Sequence, residues 1–336
     1  MQTTATNTNT TATAATWEKV RDEIQKLRAG IAREVVGQDE IVQQMLVALL
    51  CGGHCLIIGV PGLGKTLLVR TLGRILGLKF NRIQFTPDLM PTDIVGTEIL
   101  QAGADGERGF RFVPGPVFAH LLLADEINRT PPKTQAALLE AMQEKQVTVA
   151  GQTRALEEPF VVFATQNPIE HEGTYPLPEA QLDRFQFSLK VDYPSLEEER
   201  LILRRQRNGE PAEVLSRAAL LELQRIVDQV PVPAHVEDFI LDLVHRSRPQ
   251  SPLADEHIKR YVEWGAGPRA SQNLARAAQA FALLDGHAAA SVEDVRRAAL
   301  PVLRHRLIPN YNATGEGIGV ESLIEHLLKN SATPRG

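Results

Sequence analysis

The chain has 336 residues, a length typical of two domains, and its 43% hydrophobic and 23% charged residues are ordinary for a globular protein. A formal net charge of −5 gives no general electrostatic case for nucleic-acid binding, which usually needs a basic face. No apolar run approaches the ~20 residues that cross a bilayer, so we predict no membrane span and a cytoplasmic location.

The first sixteen residues, MQTTATNTNTTATAAT, are rich in Thr, Ala and Asn and carry no charged side chain. They have neither the basic start nor the apolar run of a signal peptide, and their composition cannot form a buried core. We therefore predict a disordered tail over residues 1–16 and a first domain over residues 17–192.

Short apolar runs alternate with helical patterns throughout this first domain, which favours an α/β fold with a parallel sheet and helices on both faces. Five runs are predicted to be buried strands: residues 54–60, 79–85, 120–126, 160–166 and 184–191.

The chain has two cysteines, Cys51 just before the first predicted strand and Cys55 within it. Two cysteines cannot form a disulfide framework, and no further ligands lie at a metal-binding spacing, so we interpret both as buried free thiols.

The segment GVPGLGKT, residues 59–66, follows the first predicted strand and precedes a helix. It satisfies G-x-x-x-x-G-K-[ST] in the context that a phosphate-binding loop requires. Backbone N–H groups and the helix N-terminus would surround the phosphates, while Lys65 would pair with the outer phosphates and Thr66 would ligate Mg²⁺. The predicted nucleotide-binding residues of this loop are Gly59, Pro61, Gly62, Leu63, Gly64, Lys65, Thr66 and Leu67.

Polar residues end the third and fourth predicted strands, at the edge where ligands bind in open α/β sheets. Asp125 would hold Mg²⁺, through water, and Glu126 would polarise an attacking water as a general base. Asn167 ends the next strand, and its neutral amide could orient the same water without adding negative charge. An Asn-Pro pair is also common in ordinary turns, so this predicted role for Asn167 rests on its position one strand after the two acids.

The pattern after residue 192 changes to helices alone. Ser195 with Glu198 and Ser291 with Asp294 are capping-box starts of two of these helices. We therefore predict an all-α second domain over residues 193–336.

Two arginines accompany these motifs: Arg184 precedes the fifth predicted strand, and Arg269 begins a helix of the second domain. With the phosphate loop, LLLADE and ATQN, the chain resembles an AAA+ ATPase. The resemblance implies ATP hydrolysis, a P-loop sheet of strand order 5-1-4-3-2, a helical lid over the nucleotide, and a ring, commonly hexameric, whose sites neighbouring subunits complete. It implies that Asn167 is the sensor-1 residue, Arg269 the sensor-2 arginine and Arg184 an arginine finger acting in trans.

REVVGQDEIV, residues 33–42, resembles the AAA+ segment that contacts adenine, which implies roles for Val35, Val36 and Gly37. Longer segments narrow the resemblance: FTPDLMPTDIVGTE, FATQNPIEHEGTYPLPEAQLDRF and GPRAS are similar to the MoxR family, and the likeness covers residues of about 20 to 320. The resemblance implies a chaperone that matures or activates client proteins, in some cases by metal or cofactor insertion. It also implies a partner with a von Willebrand factor A domain and a client that the sequence does not name.

Two insertions are predicted to be hairpins, over residues 93–118 and 145–160, the second turning at Gly151. In the family such inserts point toward the pore or upper face of the ring.

The close alternative to a MoxR-type chaperone is a motor subunit similar to that of magnesium chelatase. A nucleic-acid motor is disfavoured because the inserts carry only isolated basic residues, such as Arg108 and Arg111. A small-molecule kinase is disfavoured by the Asp125–Glu126 pair and the helical second domain.

Overall fold

The computed structural model describes residues 14–35, 37–102, 108–170, 172–204 and 211–331. The strands in chain order are β1 (Cys55–Ile58), β2 (Phe80–Gln84), β3 (Gly96–Ala102), β4 (Arg108–Pro114), β5 (Leu121–Asp125), β6 (Gln146–Val149), β7 (Gln152–Ala155), β8 (Val161–Gln166), β9 (Phe187–Lys190), β10 (Val262–Trp264) and β11 (Ile308–Pro309). The helices are α1 (Ala14–Glu34), α2 (Asp39–Leu50), α3 (Lys65–Ile75), α4 (Pro91–Val95), α5 (Pro132–Glu144), α6 (Glu179–Leu182), α7 (Leu196–Arg204), α8 (Arg217–Val227), α9 (Ala234–Arg246), α10 (Glu256–Tyr261), α11 (Pro268–Asp285), α12 (Val292–Leu303), α13 (Tyr311–Gly315) and α14 (Val320–Asn330), with a 3-10 turn over Ile127–Arg129.

Five parallel strands form the central sheet, in the order β2-β5-β8-β1-β9. This confirms the order 5-1-4-3-2 when the five sheet strands are numbered along the chain. The inner strands β5 and β8 are nearly continuous apolar runs because helices cover both faces of the sheet. Their registers place the carboxyl ends of β5, β8 and β1 at one edge, which fixes where the polar residues after these strands meet.

Side chains of successive strand residues enter two separate cores. Cys55 and Ile57 pack on one face with α1, α2, α3 and the helical domain, whereas Leu56 packs on the other face with α5. Cys51 and Cys55 are both free and buried, which confirms their interpretation as thiols inside the core.

Both insertions are antiparallel hairpins, as predicted. β3 pairs with β4, and β6 pairs with β7 through a turn at Ala150 and Gly151, both of which have positive φ. Residues 103–107, between β3 and β4, lie outside the described residues.

Helix α1 begins at Ala14, inside the segment that was predicted to be a disordered tail. The tail prediction is therefore wrong over residues 14–16, and residues 1–13 lie outside the described part of the chain. The helix forms because Val20, Ile24, Leu27 and Ile31 recur on one face and are all buried against the first core.

The second domain contains α7 to α14 and has one addition to the prediction of helices alone. β10 and β11 pair as a short antiparallel ribbon within it. This domain packs on the side of the first one, since one continuous apolar core includes residues from α2, β9, α8, α11 and α12. Among the helices described, none is both long and apolar enough to cross a membrane.

Candidate nucleotide-binding site

The phosphate loop joins the carboxyl end of β1 to the first turn of α3. Gly59 donates its N–H to Gln166 O at 3.2 Å, and an added Cβ there would lie 2.7 Å from Val191 O, so only glycine fits. Gly62 and Gly64 have φ of 87° and 75°, in the left-handed region that favours glycine. No atom of the described residues lies within 4 Å of where their Cβ atoms would be, so among these residues the loop backbone borders open space, as a phosphate cradle requires.

Lys65, the first residue of α3, extends its side chain back across the loop. Its ammonium donates to the carbonyl oxygens of Gly59 and Val60, the second at 2.9 Å. Burial lowers the pKa of Lys65, and the negative charges of Asp125 and Glu126 oppose that shift. The Lys65 ammonium and the two predicted acids therefore lie at the same edge of the sheet, close enough for their charges to interact.

Asp125 is the last residue of β5 and is 8% exposed. Its Oδ1 accepts a 2.6 Å hydrogen bond from the Thr165 hydroxyl, and its Oδ2 accepts from Arg82 Nη2 at 2.7 Å and Nε at 3.1 Å. Neighbouring strands on both sides thus fix the carboxylate: Arg82 comes from β2 and Thr165 from β8.

Glu126 follows directly and adopts a left-handed backbone conformation, φ 58° and ψ 49°. This conformation is uncommon for a residue other than glycine and marks a position that its surroundings hold in place. Its N–H donates to Thr165 Oγ1 at 2.8 Å. Its carboxylate Oε2 accepts from Gln84 Nε2 at 2.8 Å and from Arg129 Nη1 at 3.1 Å.

Asn167 follows β8, one strand away from the acids and next to β1. It is 5% exposed, and its Oδ1 accepts from the N–H of Ile169 at 3.3 Å. Its amide nitrogen has no hydrogen-bond partner among the described residues. A buried amide donor without a partner is costly, so this group is the expected contact for a ligand or its attacking water.

The predicted adenine segment lies where the first domain meets α7. Val35 packs on the apolar core, and Gly37 has φ of 71°. An added Cβ at Gly37 would collide with the Glu198 carboxylate, which also accepts from the Gln38 N–H at 3.2 Å. Val36 lies outside the described residues.

Sequence reasoning missed four side chains that position the acids: Arg82, Gln84, Thr165 and Arg129. Arg82 and Gln84 alternate along β2, and the implied strand order places that strand beside β5. The alternation of Arg82 and Gln84 on one face of β2 was the available signal.

Arg184 and Arg269 lie elsewhere. They line a cavity of about 280 Å³ together with Gly53 and His54, which precede β1, whereas the phosphate loop follows β1. The two arginines are therefore at the amino edge of the sheet, separated from Lys65 by the length of that strand. Arg269 is held there by Asp183, whose Oδ2 accepts from its Nη1 at 2.9 Å.

In this structure Arg269 of the helical lid domain lies away from the phosphate loop of its own chain, and its sensor-2 role stays a prediction. The helical domain packs beside the sheet through α11 and α12, and this packing brings the start of α11 to the amino edge. Arg184, predicted to serve a neighbouring subunit, shares that edge.

Comparison with known proteins agrees with this architecture. Residues 54–187 match the ATPase family associated with various cellular activities (AAA), and residues 254–327 match the AAA lid domain. Chaperone MoxR1 of Mycobacterium tuberculosis is 47% identical over 91% of this chain and 81% of its own length. The protein MoxR of Paracoccus denitrificans is 33% identical over 89% of this chain and 93% of its own length. The chain belongs to the MoxR family of AAA+ ATPases.

A solved structure of a protein from Cytophaga hutchinsonii, assigned as an ATPase, superposes with a TM-score of 0.87 at 40% identity. The superposition covers 94% of this chain and 96% of that one, so the similarity includes the helical domain. Membership in the MoxR family accounts for the five-stranded sheet with two hairpins and for the helical domain that follows it.

The side chains and backbone of this MoxR-family site are chemically suited to bind a nucleoside triphosphate and Mg²⁺. The open glycine backbone, the Lys65 ammonium and the unpaired Asn167 amide supply donors for phosphate oxygens. The Thr66 hydroxyl and the Asp125 carboxylate supply the hard oxygen ligands that Mg²⁺ prefers.

Proposed function

We propose that this chain hydrolyses ATP to ADP and phosphate at the carboxyl edge of its sheet. One observation carries the proposal. The Glu126 carboxylate, fixed in a left-handed turn, and the unpaired Asn167 amide follow neighbouring strands at the same edge as the phosphate loop. A water between them would lose a proton to Glu126 as its oxygen attacks the γ-phosphorus.

The remaining roles follow from the side chains at this edge. Lys65 binds the outer phosphate oxygens, and Asn167 orients the water or the γ-phosphate. Thr66 and Asp125 hold Mg²⁺, which neutralises charge on the phosphates when bound. Val35, Val36 and Gly37 contact the adenine base in this proposal, as the resemblance of their segment to the AAA+ adenine-contacting segment implies.

We further propose that each site is shared between two copies of the chain, in a ring that is commonly hexameric in this family. The position of Arg184 and Arg269 supports this, because both lie at the edge opposite the phosphate loop of their own chain. A neighbouring copy that packs this edge onto the nucleotide would place two positive charges beside the γ-phosphate. An arginine supplied in trans stabilises transition-state charge in this way.

The coupled work is proposed to be the remodelling of client proteins. The support is the 47% identity to a protein named a chaperone, together with the MoxR-family motifs. A partner with a von Willebrand factor A domain and a role in metal or cofactor insertion are expectations from the family alone, as is a cytoplasmic location. Such work requires that ATP and ADP favour different conformations of the ring, which two γ-phosphate-contacting arginines would provide.

There are two alternatives. One is a magnesium-chelatase-like motor subunit, which the identity of the partner protein would distinguish from a MoxR-type chaperone. The other is a nucleic-acid motor. The net charge of −5 disfavours the second. Arg154, on the second hairpin, is paired with Glu98 rather than free for a phosphate backbone.

The test of ATP hydrolysis is Glu126→Gln, which keeps the size and hydrogen bonding of the side chain but removes its basicity. We expect ATP affinity within about threefold of the unchanged protein and a fall in kcat of at least about 100-fold. Steady-state phosphate release and equilibrium binding of a fluorescent ATP analogue measure the two quantities. Undiminished hydrolysis would overturn the general-base role.

The same variant, loaded with ATP and used as bait in an affinity capture, should retain the client and the partner protein for identification.

A further inference from the structure

Arg306, just after α12 in the helical domain, is a buried cation that the hydrolysis scheme leaves unused. Its side chain is only 2% exposed. A buried guanidinium is tolerated only when its charge is paired and its N–H groups are satisfied. The surroundings of Arg306 meet both requirements through the segment that contains Arg184.

All five N–H groups of the Arg306 guanidinium have acceptors. Nε donates to Asp183 Oδ1 at 2.8 Å, and Nη2 donates to Asp183 O at 3.1 Å and Phe185 O at 2.7 Å. Nη1 donates to Gln186 O at 3.2 Å and to Val302 O within its own domain. Four of the five bonds therefore hold residues 183–186, on both sides of Arg184.

Further groups of the helical domain reinforce this contact. His305 Nε2 lies 2.9 Å from Phe185 O, and Arg304 Nη1 donates to Ser188 O. The Asp183 carboxylate also binds Arg269, through its second oxygen, at 2.9 Å. Asp183 therefore joins the buried Arg306 to both arginines of the amino edge: to Arg184 through the backbone and to Arg269 through the carboxylate.

We propose that Arg306 is a positioning residue that sets the location of Arg184 and Arg269 for catalysis in the neighbouring copy. This inference rests on the proposed role of Arg184 in trans. An arginine that stabilises transition-state charge must be held to a fraction of an ångström by groups that are themselves fixed. Arg306 provides that support from the second domain, so a movement of the helical domain also moves the two arginines.

The charge of Arg306 supports this positioning role. Burial lowers its pKa to about 10, and Asp183 opposes that shift, so it stays protonated at neutral pH. Lysine at this position would keep the charge but could not bond the Asp183 carboxylate and three carbonyls together, because it lacks the planar fork.

The experiment mixes two kinds of inactive subunit. The acceptor is Arg184→Ala, which keeps its own phosphate loop and Glu126. The donor is Glu126→Gln, which keeps Arg184 but cannot hydrolyse ATP. A second donor adds Arg306→Lys, and a control donor adds Arg297→Lys. Arg297 lies on α12 in contact with Asp285 and the Phe281 ring, away from residues 183–186.

We expect the plain donor and the Arg297→Lys donor to restore hydrolysis equally to the acceptor. The Arg306→Lys donor should restore about tenfold less, with unchanged KM for ATP and unchanged ATP binding by the donor itself. A merely structural defect would instead weaken ATP binding as the folded fraction falls. If the Arg306→Lys donor does not fold, Asp183→Asn replaces it, with the same expectation.

The outcomes separate the two proposals. If the plain donor restores nothing, the trans role of Arg184 fails. If the plain donor restores activity and the Arg306→Lys donor does so equally, the positioning role is overturned. Equal loss with the Arg297→Lys donor would also overturn it, because the effect would then not depend on residues 183–186.

Discussion

At the scale of single residues, one hydroxyl organises the reacting end of the site. Thr165 is 1% exposed, and its Oγ1 donates to Asp125 while accepting from the N–H of Glu126. Both bonds are needed, since one orients the carboxylate expected to hold Mg²⁺ and the other secures the left-handed turn of the proposed general base. Thr165 therefore connects, through a single buried hydroxyl, the carboxylate proposed to hold Mg²⁺ and the residue proposed as general base.

Thr165→Val tests this coupling, because valine keeps the shape and removes the hydroxyl. We expect kcat to fall about 10- to 100-fold and the free energy of unfolding to fall by about 1–3 kcal/mol, as two buried polar groups lose their partner. Phosphate-release kinetics and urea unfolding measure the two effects. Thr165→Ser should recover most of both. Full activity in the valine variant would show that the acids need no such partner.

The residues that sequence predicted and those it missed differ in a physical way. Asp125 ends β5, Glu126 and Asn167 directly follow β5 and β8, and Lys65 ends the loop after β1. Because the carboxyl ends of parallel strands meet at one edge, local patterns were sufficient to predict these residues. Thr165 lies within its strand. Its role depends on the register between β8 and β5, which the sequence of neither strand specifies.

At the scale of elements, the two hairpin inserts are joined to each other. Glu98 on β3 and Phe112 on β4 are register partners, and Arg154 on β7 contacts both. Its guanidinium lies 4.0 Å from the centroid of the Phe112 ring and 4.0 Å from the Glu98 carboxylate. The two inserts are therefore connected through Arg154, and the second of them precedes β8 in the chain.

Arg154→Ala should loosen the first hairpin. The lost cation–π and ion-pair contacts contribute about 0.5–2 kcal/mol, so hydrogen exchange in β3 and β4 should quicken about two- to thirtyfold. Exchange in α3, beside the phosphate loop, should not change. Arg111→Ala is the matched control, since Arg111 donates to Gln101 across its own hairpin, at 3.3 Å, and has no bond to the second hairpin among the residues that the structure describes. Equal exchange in both variants would contradict a connection through Arg154.

The sequence pattern predicted the hairpins and the resemblance to AAA+ ATPases implied the strand order, but neither predicted where the helical domain packs. Helical periodicity identifies an apolar face without naming the surface that covers it. α11 packs against α2, and Arg306 reaches residues 183–186, through contacts between positions more than a hundred residues apart. For this reason the position of Arg269 relative to the phosphate loop could not be predicted from the sequence.

At the scale of the whole molecule, two buried histidines tie folding to pH. His54 Nδ1 accepts from the Val162 N–H at 3.0 Å, and burial lowers its pKa to about 4. Burial also lowers the pKa of His305 well below its usual value, and the positive charge of Arg306 adds to the shift. Both histidines are therefore neutral in the folded protein and protonated in the unfolded chain below pH ~6.5.

Since the unfolded state binds more protons in this range, the free energy of unfolding should decrease as pH falls from about 6.5 toward 4. Each histidine contributes up to about 1.4 kcal/mol per pH unit. Urea unfolding at several pH values measures the slope. His54→Gln should reduce this slope. A slope that His54→Gln leaves unchanged would show that His54 does not titrate on unfolding.

The central claim is that one ATP site is built from two copies of the chain. Its most direct test is the specific ATPase activity of an equal mixture of Glu126→Gln and Arg184→Ala subunits, assembled together and compared with each variant alone. Each variant alone should be nearly inactive. Random assembly pairs an intact Glu126 with a neighbour's Arg184 at about one quarter of the sites, so the mixture should recover about that fraction of full activity. A mixture no more active than its separate components would contradict the claim.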